Sequence, residues 1–386
     1  VKMQEIIVRE GKKDDPKMTV LLEEAVNSYT KTYMAGNQAL GRNLDANAMR
    51  NHFYRFPGVD NDKDKTLSAM LRMAVIAQTQ ERYEKAPVET DEQRAEKAAL
   101  EGLVKQLFVE LKRDFKPSDL PPYTLVKLGM HLAGTSQPEE SIAYFDEILD
   151  PSEPDPVRKK ARINGMSKYR KNAVFGKAVA LGRSKDNAKV DTAIKMMRDE
   201  LSKEESSSNP DRKAMEDAQY NLVKFTSARQ DWPAVIAAAD KYRENKTYKK
   251  NLPEVLYLQG EAYLKQNELD KALINFMNIT GTYKGLVKWS APAVLAQMDT
   301  LWKRNTMSQG AGKQPSDRYV AWKAGSQYVQ LLDTPANRKK MTAEDSALVN
   351  EVKDKTAKFG SDPAVSQERA DIAAYEAAVR AAKGQK

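Results

Sequence analysis

Residues 260–276 read GEAYLKQNELDKALINF. Gly260 and Tyr263 lie three apart, a polar turn follows, and Ala272 and Phe276 lie four apart. Both spacings put side chains on one face of a helix. The stretch therefore predicts two helices folded back on each other. Gly260 and Ala272 let the backbones approach, and Tyr263 and Phe276 fill the remaining volume. Burying such side chains stabilises by about 1.5–3 kcal/mol each. One hairpin leaves half of its apolar surface wet, so it needs neighbours.

The sequence supplies them. In 122–154, PYTLVKLGMHLAGTSQPEESIAYFDEILDPSEP, Leu128-Gly129 and Phe145 repeat the glycine-to-phenylalanine spacing, with Leu132, Ser141 and Ile148 at the packing positions between and after. In 216–242, Leu222 matches, while Val223 and Val235 replace the glycine and the alanine. Residues 173–197 fit poorly, keeping only Ala193 and Met197. Ser141, Ala193, Val235 and Ala272 are spaced by 52, 42 and 37 residues, so the ladder is irregular, with a long helix expected near 155–184.

Pro253, Leu256, Gly260, Tyr263, Ala272 and Phe276 resemble the tetratricopeptide repeat pattern, with Gln259 and Lys284 departing from it. The resemblance covers about 120–305. It implies an all-α fold: an irregular tetratricopeptide-like α-solenoid, a right-handed superhelix of antiparallel helix pairs, with helical flanks. The expected organisation is a helical region at 1–119, the solenoid at 120–333 and a helical tail at 334–386.

Outside the ladder the periodicity is also helical. Val20, Leu21 and Ala25 open one stripe, 66–83 is apolar on a broad face, and Leu100, Leu103, Leu107 and Leu111 form another. Thr90 and Gln93 have capping-box spacing, and Pro117, Pro121 and Pro122 end that helix. Two further helices are expected in 342–359 and 362–383. Loops are expected at 203–211 and 307–317. Only the first eight or nine residues look strand-like.

Composition narrows the function classes. With 41% apolar and 30% charged residues, the 386-residue chain suits a helical protein with a large surface. It has no cysteine, which rules out disulfides and thiolate metal sites. No window approaches a membrane span. The lack of cysteine and of an initiator methionine predicts an exported protein of the periplasm or bacterial envelope, with a cytoplasmic setting as the alternative.

Little in the sequence asks for catalysis. His52 and His131 stand apart without carboxylates at metal spacing and read as structural. SQGAGKQ (308–314) fails the phosphate-loop pattern, since residue 307 is Met and residue 314 is Gln. No enzyme, cofactor or metal is expected.

Two candidate binding features remain. The resemblance implies that the first helix of each pair lines a concave groove, through Tyr123, Val126, Met130, Ala133 and Gly134; Asp217, Tyr220, Lys224, Ser227 and Ala228; and Glu254, Tyr257, Glu261, Leu264 and Lys265. Tyr257 and Glu261 stand where the family's chaperone-tail clamp has Lys and Asn. The groove candidates carried forward are Tyr123, Met130, Tyr220, Lys224, Tyr257, Glu261 and Lys265, for an extended peptide or partner helix. Packing is the competing role for each tyrosine. The second feature is 157–185, which has ten basic residues and no acidic one. Arg158, Lys159, Arg162, Lys168, Arg170 and Lys171 form either a solvated face neutralised by acids such as those of 198–205, or a rung for an anionic partner. Few aromatics are interleaved for base stacking, which puts nucleic acid second. The expected function is a non-catalytic protein-binding scaffold; the alternative is a basic helical array binding RNA or another polyanion.

Overall fold

The computed structural model describes residues 65–88, 90–310, 314–338 and 341–384, with scattered helical positions between 24 and 40. The strand-like start and His52 lie outside the described residues. Every regular element among those described is helical, and the fold is all-α. The chain divides into two compact units, 1–196 and 197–386.

The first unit contains α1 (Lys65–Lys85), α2 (Asp91–Asp114), α3 (Pro122–Ala133), α4 (Ile142–Leu149), α5 (Pro156–Gly165) and α6 (Ser167–Gly182). α1 packs on α2, and α3, α4 and α6 pack on one another. Helix α2 starts where expected: Thr90 Oγ1 accepts from Gln93 N at 3.2 Å, and Gln93 Oε1 accepts from Thr90 N at 3.1 Å. Such a cap contributes about 1 kcal/mol. Leu107, Phe108, Leu111, Leu125, Leu128, Phe145, Ile148 and Ala173 share one core.

That core centres on a joint of unequal partners. Phe145 is fully buried, and its ring occupies the space where a Cβ on Gly129 would lie, 2.8 Å from Cε1. The same ring fills the space beside Gly176 of α6. One phenylalanine thus keys two glycine-bearing helices. The long helix expected near 155–184 does not exist as one rod. The chain breaks at Met166 (φ −94°, ψ 2°), whose buried side chain joins the core, and α5 and α6 are separate. The Asn164-Gly165 pair just before the break is the local reason, since both are poor helix formers.

The division between units falls within α7 (Asn187–Glu205). The second unit continues with α8 (Arg212–Ala228), α9 (Trp232–Glu244), α10 (Leu252–Lys265), α11 (Leu269–Thr282), α12 (Val287–Arg304), α13 (Asp317–Leu332), α14 (Ala343–Gly360) and α15 (Pro363–Gly384). From α8 to α14 each helix packs on its successor, and α8, α10 and α12 also pack on the next helix but one, α10, α12 and α14 respectively. That is the contact pattern of a solenoid: each hairpin finds in its neighbour the apolar surface it lacks.

Hairpins α8–α9 and α10–α11 repeat at 37 residues. Gln230 and Asn267 take the same place in the turn, with φ 57° and φ 60°. Asp231 N donates to Thr226 O at 3.1 Å, and Glu268 N to Tyr263 O at 2.8 Å. Inside α10–α11, a Cβ on Gly260 would lie 2.6 Å from Phe276 Cε1, so the expected close approach is present. Inside α8–α9 the equivalent pair is Val223 and Ala239, both fully buried in one cluster. The large and small partners have changed sides.

The connection between α12 and α13, which holds SQGAGKQ, is clasped by an ion pair. Arg304 donates from Nε and Nη2 to Asp317 at 2.8 and 2.6 Å, and Asp317 also accepts from Thr306 N at 2.7 Å. Asp317 is 3% exposed, and these donors hold its carboxyl below the usual range against the opposing effect of burial.

Candidate partner-binding face

The face of α8 and α10 is built from tyrosines on the first helix of each hairpin. Tyr220 and Tyr257 are 37 residues apart and both half-buried. Their rings pack inward, Tyr220 against the α8–α9 cluster and Tyr257 against Phe276 at a centroid distance of 5.8 Å. Tyr220 Oη donates to Glu254 Oε2 at 2.5 Å, joining α8 to α10, and Glu261 stands one turn on from Tyr257. Such a charge-assisted bond fixes the Tyr220 ring in one orientation.

The electrostatics follow from this geometry. Burial, helped by Glu254, pushes the Tyr220 hydroxyl far above its ordinary value. Burial likewise pushes Tyr257 up to about 12, with the Glu261 charge and then Asp299 and Glu351 adding to it. Burial also raises the Glu261 carboxyl, opposed by the neighbouring Tyr257 hydroxyl and by Lys265. Lys224 Nζ lies 3.6 Å from Glu254 Oε1 and 5.3 Å from the centre of the Tyr220 ring. Lys265 is exposed. The five candidates from this unit thus lie on α8 and α10. Glu254, Asp299 and Glu351 complete the electrostatics. Glu254 is legible in sequence as the second position of its hairpin, but Asp299 and Glu351 come from α12 and α14 and carry no motif.

The candidates of the first unit fare differently. Tyr123 is half-buried against that unit's core, with Lys127 Nζ 5.6 Å from its ring centre. Met130 is 51% exposed. Val126 and Ala133, both expected to line the groove, are 4% exposed and belong to the core. His131 stacks on Phe108 at 4.0 Å as a packing residue, and burial lowers its pKa. Among the described residues no group of three metal-ligating side chains occurs, and no helix is long and apolar enough to cross a membrane.

The basic segment separates into two sets. Arg162 is structural: Nη2 lies 3.1 Å from Glu147 Oε1 and donates to Ser118 O at 3.1 Å, and Glu147 is 5% exposed. Lys159 pairs with Asp150 at 2.6 Å, and Lys177 with Asp146 at 2.5 Å. Acids of α4 and of the turn after it therefore meet these cations. Arg158, Lys168 and Arg170 are exposed, and none has an ion pair among the described residues, although Lys168 Nζ lies 4.9 Å from the Tyr169 ring centre. Lys171 is half-buried and has a partner of its own.

Compared with the models of known families and with curated proteins, the chain matches none.

Proposed function

We propose that this protein is a non-catalytic scaffold of the tetratricopeptide type, and that the α8–α10 face docks an extended peptide or a helix of another protein. The observation that carries the reading is the repeated tyrosine. Tyr220 and Tyr257 recur at the hairpin period, half-exposed, with rings packed on their hairpins and the Tyr220 hydroxyl already tied to Glu254. A face ordered before binding avoids much of the entropic cost of immobilising side chains, about 0.5–1.5 kcal/mol for each. The mixture of aromatic, acidic and basic groups suits a peptide more than a metal or a small anion. The cysteine-free composition favours an exported setting such as bacterial envelope assembly.

Site-specific photocrosslinking in the native cell tests this. A photoreactive residue at Lys265 should capture one discrete protein, and Tyr220→Ala with Tyr257→Ala should abolish the adduct. The same probe at Met277, 55% exposed on the second helix of its hairpin, should capture nothing discrete. Equal labelling from both positions would dismiss the reading.

A second reading rests on the exposed cations Arg158, Lys168 and Arg170, which suit an anionic partner. Such binding weakens steeply with salt. It should fall with Arg158→Glu plus Arg170→Glu. Arg162→Glu is not a clean probe, because it strands Glu147.

A further inference from the structure

Helix α5 is amphipathic in the unexpected sense. Its start is fixed by Pro156 at the first helical position and by Asp155 Oδ1, which accepts from Val157 N at 2.8 Å and from Arg158 N at 2.9 Å. Lys159, Arg162 and Ile163 take the inward places, in line with the buried Met166. The two cations there meet Asp150 and Glu147. Val157, Lys160 and Asn164 share the opposite face, and all three are exposed. Val157 is 79% exposed, more than any other large apolar side chain among the described residues. An ordinary surface helix buries its valine and leaves its lysines in water. Here the places are exchanged.

Cations surround the exposed valine. Arg158 is exposed beside it and Lys160 one turn on, and neither has an ion pair among the described residues. Lys168 and Arg170 continue the exposed cations past the break at Met166. An apolar side chain set among cations fits the boundary of a bilayer, where the apolar group enters the acyl edge and the cations stay at the phosphates. Building on the anionic-partner reading, we propose that the outward face of α5 docks on an anionic lipid surface, with Val157 inserted between the headgroups. Nucleic acid fits this face less well. Its exposed apolar group is aliphatic and gives a base nothing to stack on, and Tyr169 is half-buried with Lys168 Nζ 4.9 Å from its ring centre. One valine and a few cations make the attachment reversible.

The natural chain has no cysteine, so Val157→Cys carries a single environment-sensitive dye. The probe is a vesicle of phosphatidylcholine with about 30% phosphatidylglycerol. Dye emission should rise and shift to the blue on these vesicles and stay unchanged on phosphatidylcholine alone. In cosedimentation of the unlabelled chain, Arg158→Glu with Lys160→Glu should weaken binding at least about tenfold. Lys246→Glu with Lys249→Glu changes the net charge equally, at exposed lysines of the second unit, and should leave binding as it was. Circular dichroism should show unchanged helix content in every variant. A dye that stays in water while the chain is bound overturns the proposal, and so does a control pair that weakens binding as much as the α5 pair. Binding to heparin or polyuridylate but not to the vesicles overturns the lipid assignment and leaves the anionic-partner reading standing. Binding to none of them overturns both.

Discussion

Hairpins α8–α9 and α10–α11 solve one packing problem in opposite ways. In α10–α11 the first helix gives up its side chain at Gly260, and Phe276 of the second helix fills the gap. In α8–α9 the first helix carries Val223 and the second gives way at Ala239. The period, the left-handed turn residue and the tyrosine on the first helix are shared. The repeat therefore constrains the combined volume of the joint rather than the identity of either residue, as dense interiors demand.

Breaking the larger joint should have the largest effect. Phe276→Ala removes a fully buried ring between close-packed helices and should cost about 3–5 kcal/mol. A chain of two units need not unfold in one step. Hydrogen exchange of the α10–α11 amides, alongside urea unfolding, therefore gives the clearer readout. Gly260→Ala comes next. Alanine in a helix ordinarily stabilises by about 1 kcal/mol over glycine. Here the added methyl meets Phe276, and the net change should be a loss of about 1–3 kcal/mol. In the other hairpin, Val223→Ala should show no such overpacking and only the smaller loss of two methyls.

The shared turn allows a sharper contrast. Gln230 and Asn267 both hold positive φ, but asparagine tolerates that region better than glutamine. Gln230→Gly should stabilise by about 0.5–1 kcal/mol, and Asn267→Gly by less, read as the shift in urea midpoint. The smallest effect concerns the tyrosine face. Glu261 is half-buried with its carboxyl raised by burial, so its charged form is disfavoured in the folded chain. The folded state holds the proton more tightly than the unfolded state, and stability drops as pH rises through the unfolded value of about 4.3. Glu261→Gln should be more stable than the natural chain at neutral pH, by roughly 0.5 kcal/mol. The gain should vanish below about pH 4, as a pH series of midpoints would show.

The sequence made the hairpins legible because glycine and phenylalanine recur sixteen residues apart, at Gly129 and Phe145 and at Gly260 and Phe276. It made α8–α9 hard to read for the same reason. Val223 looks like a departure when judged alone, and Ala239 becomes informative only beside it. Gly176 was invisible as a joint because its partner, Phe145, belongs to an earlier hairpin. The break at Met166 was marked by Asn164-Gly165, yet the surrounding helical period concealed it. On the candidate face, the places of Tyr220, Tyr257 and Glu261 on the first helix of each hairpin were readable from repeat position. The role of Arg162 was not, because its partner Glu147 lies on another helix, fifteen residues back in the chain. Composition alone cannot tell a cation that braces two helices from one that faces water.

The most direct test of volume sharing at these joints is a double-mutant cycle that gives α10–α11 the pair found in α8–α9. Gly260→Val and Phe276→Ala should each destabilise the hairpin. Combined, they should cost less than the sum of the two by about 1–3 kcal/mol, because the new side chain occupies the space that the ring leaves. Costs that simply add, or a double variant worse than the sum, would contradict the account.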